Sequence, residues 1–251
     1  ENNIKLVIPT IDTELLVLSQ NKEKFLKHSI FIIISDEKLI KSCSDKIKTH
    51  SLFKKLNVEV AKSYKKNNYK LPIFIKPING SGSKNNYIVK KKSQISKYLL
   101  KKKSLQFFEY FNTKFYDEYT CDLYFDKKSN LKCVIPRKRI EIREGEVSKG
   151  VTKKNTLKTF IDDNFSFLEG AIGCITIQFF MHKDNHDLKG IEINPRFGGG
   201  FPLSYLAGGN YPKWIIQEFM LNENIAYYDD WEENLLMLRY DDEVLIKNYA
   251  E

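Results

Sequence analysis

A chain of 251 residues with 42% hydrophobic and 29% charged side chains is long enough to bury a sizeable core, and its composition is that of an ordinary globular protein. No apolar run approaches the roughly 18 residues that a membrane-spanning helix needs. The formal charge of +9 attracts polyanions, but the lysines are scattered over helices and loops without a recognisable nucleic-acid motif, so nucleic acid ranks last among the partners considered. Cys43, Cys121, Cys133 and Cys174 show no C-x-x-C pair and no zinc-ligand spacing; buried reduced thiols are expected, which favours the cytoplasm.

Residues 1–45 read as strand, helix, strand and short helix. The first strand is 4–8 (IKLVI), and Leu15, Leu16, Leu18, Phe25 and Leu26 give the helix an apolar stripe, with Asp12 near its start. The continuous apolar run 30–34 marks a strand covered on both faces, so the unit is β-α-β and its strands are parallel. The chain opens almost directly on a strand with neither signal peptide nor initiator Met, so a preceding segment is expected. A helix then runs to about Leu56 with Ser44 or Asp45 as N-cap, and Lys46 taken alone is a solvated residue on it.

Residues 71–77 (LPIFIKP) are a strand ending in Lys76, followed by the run INGSGSKNN and a second strand at 87–89. Backbone N–H groups and hydroxyls of Gly80, Ser81, Gly82 and Ser83 suit phosphate oxygens, with Lys76 as a point charge beside them; the same composition also suits a flexible hairpin tip. Residues 93–103 read as a Lys-rich surface helix, and 105–111 as a strand that either joins a core or walls an adenine pocket. Residues 119–125, 131–139 and 141–143 continue as β-structure around a turn at 127–130. Arg137, Lys138, Arg139 and Arg143 cluster there, either as a solvated sheet face or as a clamp for a carboxylate or acyl phosphate. Residues 155–170 carry helical apolar spacing, Pro212 opens a helix to about Leu221, and a last strand follows near 235–240. His28, His50, His182 and His186 read as surface residues.

The most informative stretch is 171–200, AIGCITIQFFMHKDNHDLKGIEINPRFGGG. Strands at 174–181 and 188–194 flank a polar tip at 183–187, which predicts a hairpin. Alternation puts Glu192 and Asn194 on one face and Ile191 and Ile193 on the other, with Gln178 on the facing strand. Two amide oxygens and a carboxylate suit Mg²⁺ (or Mn²⁺) with positions left for water and phosphate, and Arg196 leans over the same ions. The neutral Gln178 lowers the charge of the set, so metal binding without nucleotide is expected to be weak. On its own, E-x-N also describes the solvated face of an edge strand. The NPRFGGG run that follows ends the strand abruptly and lets backbone approach a ligand closely.

The run EINPRFGGGFPLSYLAGGNYP, with Gln178 before it, resembles the metal segment of the ATP-grasp superfamily, in its branch related to the carbamoyl-phosphate synthase large chain. KPxxGSGS resembles that superfamily's phosphate lid, although a further glycine is expected near Asn85 or Asn86, and IPRKRIEIREGEVSKGVT is similar to the same branch. The resemblance implies a mixed α/β (α+β) ATP-grasp fold, two β-rich subdomains holding ATP between them. Residues 1–45 would end a partial pre-ATP-grasp domain, 46–112 form the small lid subdomain and 113–251 the large subdomain with the metal site. It gives Lys46 in DKxxT and Lys76 to the phosphates, the edge Glu109, Tyr110 and Phe111 to adenine, Glu118 to the ribose, and Lys149, Gly150 and Val151 to the nucleotide border. Arg196 takes the transition-state charge, and Arg137, Arg139 and Arg143 the acyl substrate.

The expected activity is an ATP- and Mg²⁺-dependent ligase that activates a carboxylate as an acyl phosphate and passes it to an amine. Its partners are ATP and small carboxylate and amine substrates, with a homodimer as one arrangement and no membrane. Phosphorylation of bicarbonate or carbamate, a non-enzymatic nucleotide-binding module and a nucleic-acid-binding protein are the other readings carried forward.

Overall fold

The computed structural model describes residues 3–77, 86–143, 145–242 and 244–247. Strands β1 (Leu6–Val7) and β2 (Phe31–Ile32) pair in parallel across helix α1 (Asp12–Leu26), as the apolar spacing predicts. Glu14 Oε1 accepts the Thr10 and Ile11 N–H groups at 3.0 and 3.2 Å, so the start of α1 is capped without the Asp12 carboxylate. Helix α2 (Glu37–Ser44) leads directly into α3 (Lys46–Lys55). Asp45 caps α3, its Oδ1 accepting from Ile47 N at 2.8 Å and Lys48 N at 3.1 Å, which fixes Lys46 at the first helical position.

The remaining strands are β3 (Glu59–Val60), β4 (Ser63–Tyr64), β5 (Ile73–Pro77), β6 (Tyr87–Val89), β7 (Leu105–Glu109), β8 (Tyr116–Phe125), β9 (Leu131–Arg143), β10 (Glu146–Thr152), β11 (Gly173–His182), β12 (Leu188–Asn194) and β13 (Leu236–Leu238). They form a four-stranded sheet, β4-β7-β5-β6, and a seven-stranded sheet, β13-β10-β9-β8-β11-β12-β3. Segment 46–112 serves both: β4 to β7 make the small sheet, while β3 joins β12 in parallel and Phe53 of α3 enters the core of the large sheet.

The large sheet is covered differently on its two faces. One face buries Cys121, Leu123, Val134, Ile175, Ile177 and Phe179 against α3 and helix α5 (Thr156–Asn164). Strand alternation sends Tyr124, Cys133, Ile135 and Cys174 to the other face, where helix α7 (Tyr211–Phe219) covers them together with Phe201 of helix α6 (Phe201–Leu206). Those helices reach only one end of that face. The rest of it carries polar side chains and, at the far end, aromatic ones.

Several boundaries differ from expectation. The helix predicted at 155–170 stops at Asn164, because Phe165 and Leu168 turn into the core and Gly170 adopts φ +79°. The helix predicted at 93–103 shrinks to α4 (Lys97–Lys101) behind a short 3-10 turn. Helix α6 carries no sequence expectation at all; it starts at the end of the triple glycine. No helix among the described residues is long and apolar enough to cross a membrane.

Candidate functional site

The uncovered end of this face is built by register. Gln178 stands opposite Glu192 on β12 and opposite Thr120 on β8, and Thr176 stands opposite Asn194 and Asp122. Side chains two residues apart share a face, so β11 presents Cys174, Thr176, Gln178, Phe180 and His182 in sequence. The face therefore grades from apolar core, through a buried polar network, to a charged cleft and then an aromatic patch.

In the charged cleft, Gln178 Nε2 and Asn194 Nδ2 both donate to Glu192 Oε1, at 2.8 and 2.9 Å. Gln178 Oε1 accepts from Arg139 Nη1 at 3.3 Å, and the same nitrogen donates to Glu118 Oε1 at 2.6 Å. Burial raises the Glu118 pKa, opposed by the Arg139 charge and hydrogen bond and reinforced by nearby Glu192. Lys46 of α3 and Lys76 of β5 reach in from the other side, and the Lys46 ammonium donates to the Pro77 carbonyl. Burial lowers the pKa of both lysines. Lys76 falls to about 8, with the Lys46 charge adding to the effect and the Glu192 carboxylate opposing it. Two ammonium groups from different elements are thus held near one carboxylate with too little negative charge to satisfy them.

The donor set fits Mg²⁺ on its chemistry. Amide oxygen and nitrogen exchange places by a side-chain flip, which would set two neutral oxygens beside the Glu192 carboxylate, all hard donors. No group of three or more His, Cys, Asp or Glu among the described residues could hold a metal ion. The set therefore suits an ion that brings phosphate oxygens with it.

The three arginines predicted as one clamp are separated. Arg137 is 1% exposed and forked onto buried Asp122, Nε to Oδ2 at 2.7 Å and Nη2 to Oδ1 at 3.1 Å, so it contacts no ligand in the cleft. Asp122 Oδ2 also accepts from Ser204 Oγ at 2.6 Å. Arg139 lines the cleft. Arg143 pairs with Asp241 at the exposed periphery. Arg137 and Arg139 share one face of β9, of which α6 and α7 cover only the first part, and a register irregularity against β10 lies between Arg139 and Arg143.

Arg196 also departs from expectation. It forks onto Asp12, Nε to Oδ1 at 2.7 Å and Nη2 to Oδ2 at 2.6 Å, and Nη1 donates to the Phe197 carbonyl at 2.9 Å. Burial opposes its charge, but Asp12 holds its pKa above the ordinary value, with Glu192 and Glu146 contributing at longer range. It therefore borders the metal residues without lying on them. Asp12, read from sequence only as a residue near a helix start, is its partner.

Glu109 Oε2 accepts from Lys62 N at 3.2 Å, tying the end of β7 to the chain before β4. Phe111 packs against Tyr116 and Phe180 with ring centroids 5.0 and 5.6 Å apart, and Tyr116 meets His182 at 4.9 Å. Tyr110 sits half-buried between Glu109 and Phe111. Tyr116, Phe180 and His182 form a ring cluster that the sequence reading did not anticipate, and His182 is a half-buried ring contact instead of a plain surface residue; alternating aromatics on β8 and β11 were the available signal. His50 likewise packs on Phe108, at 5.8 Å. Lys149 pairs with Glu141 on the outer strands at 2.6 Å, Gly150 packs near Leu203 of α6, and Val151 lies between β9 and β13. Gly80, Ser81, Gly82 and Ser83 lie outside the described residues.

A seven-stranded sheet carrying Gln178, Glu192 and Asn194 and a four-stranded sheet carrying Lys76 are the architecture of an ATP-grasp protein. Residues 109–240, more than half of the chain, match the family described as "ATP-grasp in the biosynthetic pathway with Ter operon", and the chain belongs to that family. Among curated proteins, no sequence matches it. Its fold is similar to that of a Campylobacter jejuni biotin carboxylase in a β,γ-ATP complex, with TM-score 0.70 and 15% identity over 92% of this chain and 58% of that one. A Hydrogenobacter thermophilus 2-oxoglutarate carboxylase biotin carboxylase domain, a dimer complexed with MgADP, ADP and bicarbonate, gives TM-score 0.70 and 15% identity over 92% and 57%. A Staphylococcus aureus N5-carboxyaminoimidazole synthetase with ADP gives 0.63 and 16% over 81% and 57%. At these identities the likeness is of fold, and this chain spans little more than half the length of those three.

Proposed function

We propose that this chain is an ATP- and Mg²⁺-dependent ligase that converts a carboxylate to an acyl phosphate and joins it to an amine. The observation that carries this reading is that Lys46 of α3, whose ammonium donates to the Pro77 carbonyl, and neighbouring Lys76 of β5 lie together in the field of Glu192, and burial disfavours the charge of both. Such a site is short of anionic oxygens, and a triphosphate supplies them. The patch of Phe111, Tyr116, Phe180 and His182 continues the same face one step along β8 and β11, where a purine ring would rest on aromatic surfaces. Glu118, between patch and cleft and paired with Arg139, would meet the ribose. On this reading 1–45, 46–112 and 113–251 are the three units, with α3 and β3 anchoring the lid segment to the large sheet.

Glu192, Asn194 and Gln178 would hold Mg²⁺, which when bound supplies positive charge at the phosphate oxygens. Lys46 and Lys76 orient the phosphates and offset their charge. A carboxylate oxygen attacks the γ-phosphorus, the bond to the departing ADP oxygen breaks, and an acyl phosphate forms. An amine nitrogen then attacks the acyl carbon; the carbon–oxygen bond to phosphate breaks, and phosphate leaves with the electron pair and takes up the amine proton. No protein nucleophile is required, and the chemistry is positioning and electrostatics.

The test is calorimetric titration of a non-hydrolysable ATP analogue with and without Mg²⁺, against wild type and Lys76→Ala. Metal-dependent binding lost in the variant supports the reading; equal binding by both removes it. Bicarbonate is a second acceptor to try, since a protein of the same fold was solved with bicarbonate and MgADP. Bicarbonate-stimulated phosphate release without an amine would favour it.

A further inference from the structure

Beside the cleft lies a second cavity of about 650 Å³, between the start of α1 and the glycine run that opens α6. Ile8, Ile11, Phe197, Phe201, Pro202 and Pro212 give it apolar walls, and Asp12, Glu146 and Arg196 are its charged groups. It adjoins the proposed phosphate site: Arg196 follows Asn194 by two residues, and its N–H donates to the Asn194 carbonyl at 2.8 Å. Of the site residues expected from sequence, Arg196 alone lines this space.

Its charge decides what it accepts. Arg196, the one cation in the lining, is committed to Asp12 through two hydrogen bonds and to the Phe197 carbonyl through a third. Among the described residues Glu146 has no ion-pair partner within 4 Å, and its charge acts on Arg196 at longer range. Its carboxylate stands against Gly199, where an added Cβ would lie 2.0 Å from Oε2, so only glycine leaves it room to face the opening. Two carboxylates against one guanidinium leave an excess negative charge in a pocket with apolar walls. An incoming carboxylate would meet Glu146 and an arginine already forked onto Asp12. An ammonium would meet Glu146 directly, with its hydrocarbon part on the Ile and Phe surfaces.

We propose that this cavity is the acceptor site, selecting a primary amine that bears an apolar or aromatic body and carries no carboxylate of its own. The proposal rests on the ligase reading, of which it names the second substrate class. The cavity volume suits a small molecule of this kind.

The probe pair is phenethylamine and hydrocinnamate, matched in shape and opposite in charge, titrated against the full chain near neutral pH by ligand-observed NMR. Wild type, Glu146→Gln and Lys76→Ala are compared. The expected result is that wild type binds the amine at least about tenfold more tightly than the acid and Glu146→Gln loses most of that preference, while Lys76→Ala keeps it. Equal affinity for the two probes, a preference for the acid, an unchanged preference in Glu146→Gln, or no amine binding up to about 10 mM overturns the proposal. The ATP-analogue titration separates the two failures. Normal nucleotide binding without amine selectivity removes this inference alone, whereas loss of nucleotide binding removes the ligase reading.

Discussion

Replacing Lys76 by Met keeps the apolar stem over the Phe108 ring, from which the ammonium lies 4.9 Å, and removes the charge. In the free protein, burial and the Lys46 charge hold the Lys76 pKa down from 10.5 to about 8, equivalent to about 3 kcal/mol in favour of the neutral amine. For folding, the unfolded chain binds more protons between about pH 8 and 10.5, so stability rises with pH across that window and the full penalty is present below it. Nucleotide phosphates reverse the preference by supplying negative charge. Binding then takes up about half a proton at pH 8, where half of Lys76 is neutral, and about a tenth at pH 7. Calorimetry of the ATP analogue in buffers of differing ionisation enthalpy reads this uptake directly. Phosphate groups of the nucleotide titrate too, so the quantity that matters is wild type minus Lys76→Met. A difference that does not grow from pH 7 to pH 8 would refute both the neutral lysine and its contact with phosphate.

Glu192→Ala should reduce Mg²⁺-dependent ATP turnover by at least about a hundredfold, and untouched turnover would remove the metal assignment. Mg²⁺ titrated without nucleotide should show no saturation below the millimolar range, because the set contains a single carboxylate; tight binding by nucleotide-free protein contradicts this. Arg137→Met leaves Asp122 charged and 0% exposed without its partner, and urea unfolding should show a loss of about 3–5 kcal/mol. A loss below about 1 kcal/mol would mean that water reaches the pair. Gly200→Ala would put a Cβ 2.1 Å from Arg137 Nη1 and 2.5 Å from Val147 Cγ1, so a loss of about 1–3 kcal/mol is expected in the same assay.

The polarity of the hairpin that holds Gln178, Glu192 and Asn194 was legible because three short-range rules agree. β-branched and aromatic runs made strands, the polar tip at 183–187 made the turn, and alternation set the faces. Lys46 was legible as a first-turn residue from the Asp45 cap, and Lys76 from the end of an apolar strand. The parallel β1–β2 pair followed from the length of the helix between the strands. By contrast, α6 was invisible, since its start is a run of glycines whose justification is the approach of Arg137 and Glu146 from distant strands.

Partner choice was beyond the sequence. Arg137 and Arg139 are two residues apart on one face of β9, yet one is sealed onto Asp122 and the other borders an open cleft. Arg196 finds Asp12 across 184 positions of chain, and Phe111 finds Phe180 only because β8 and β11 pair. Hydrogen bonding between neighbours and the two-residue period of a strand act within a few residues, so the sequence by itself determined which elements form and which way their side chains face. Whether a charge facing that way is buried, paired or left for a ligand depends on what covers it, and that was decided only when α6 and α7 packed over one end of the large sheet and left the other end open.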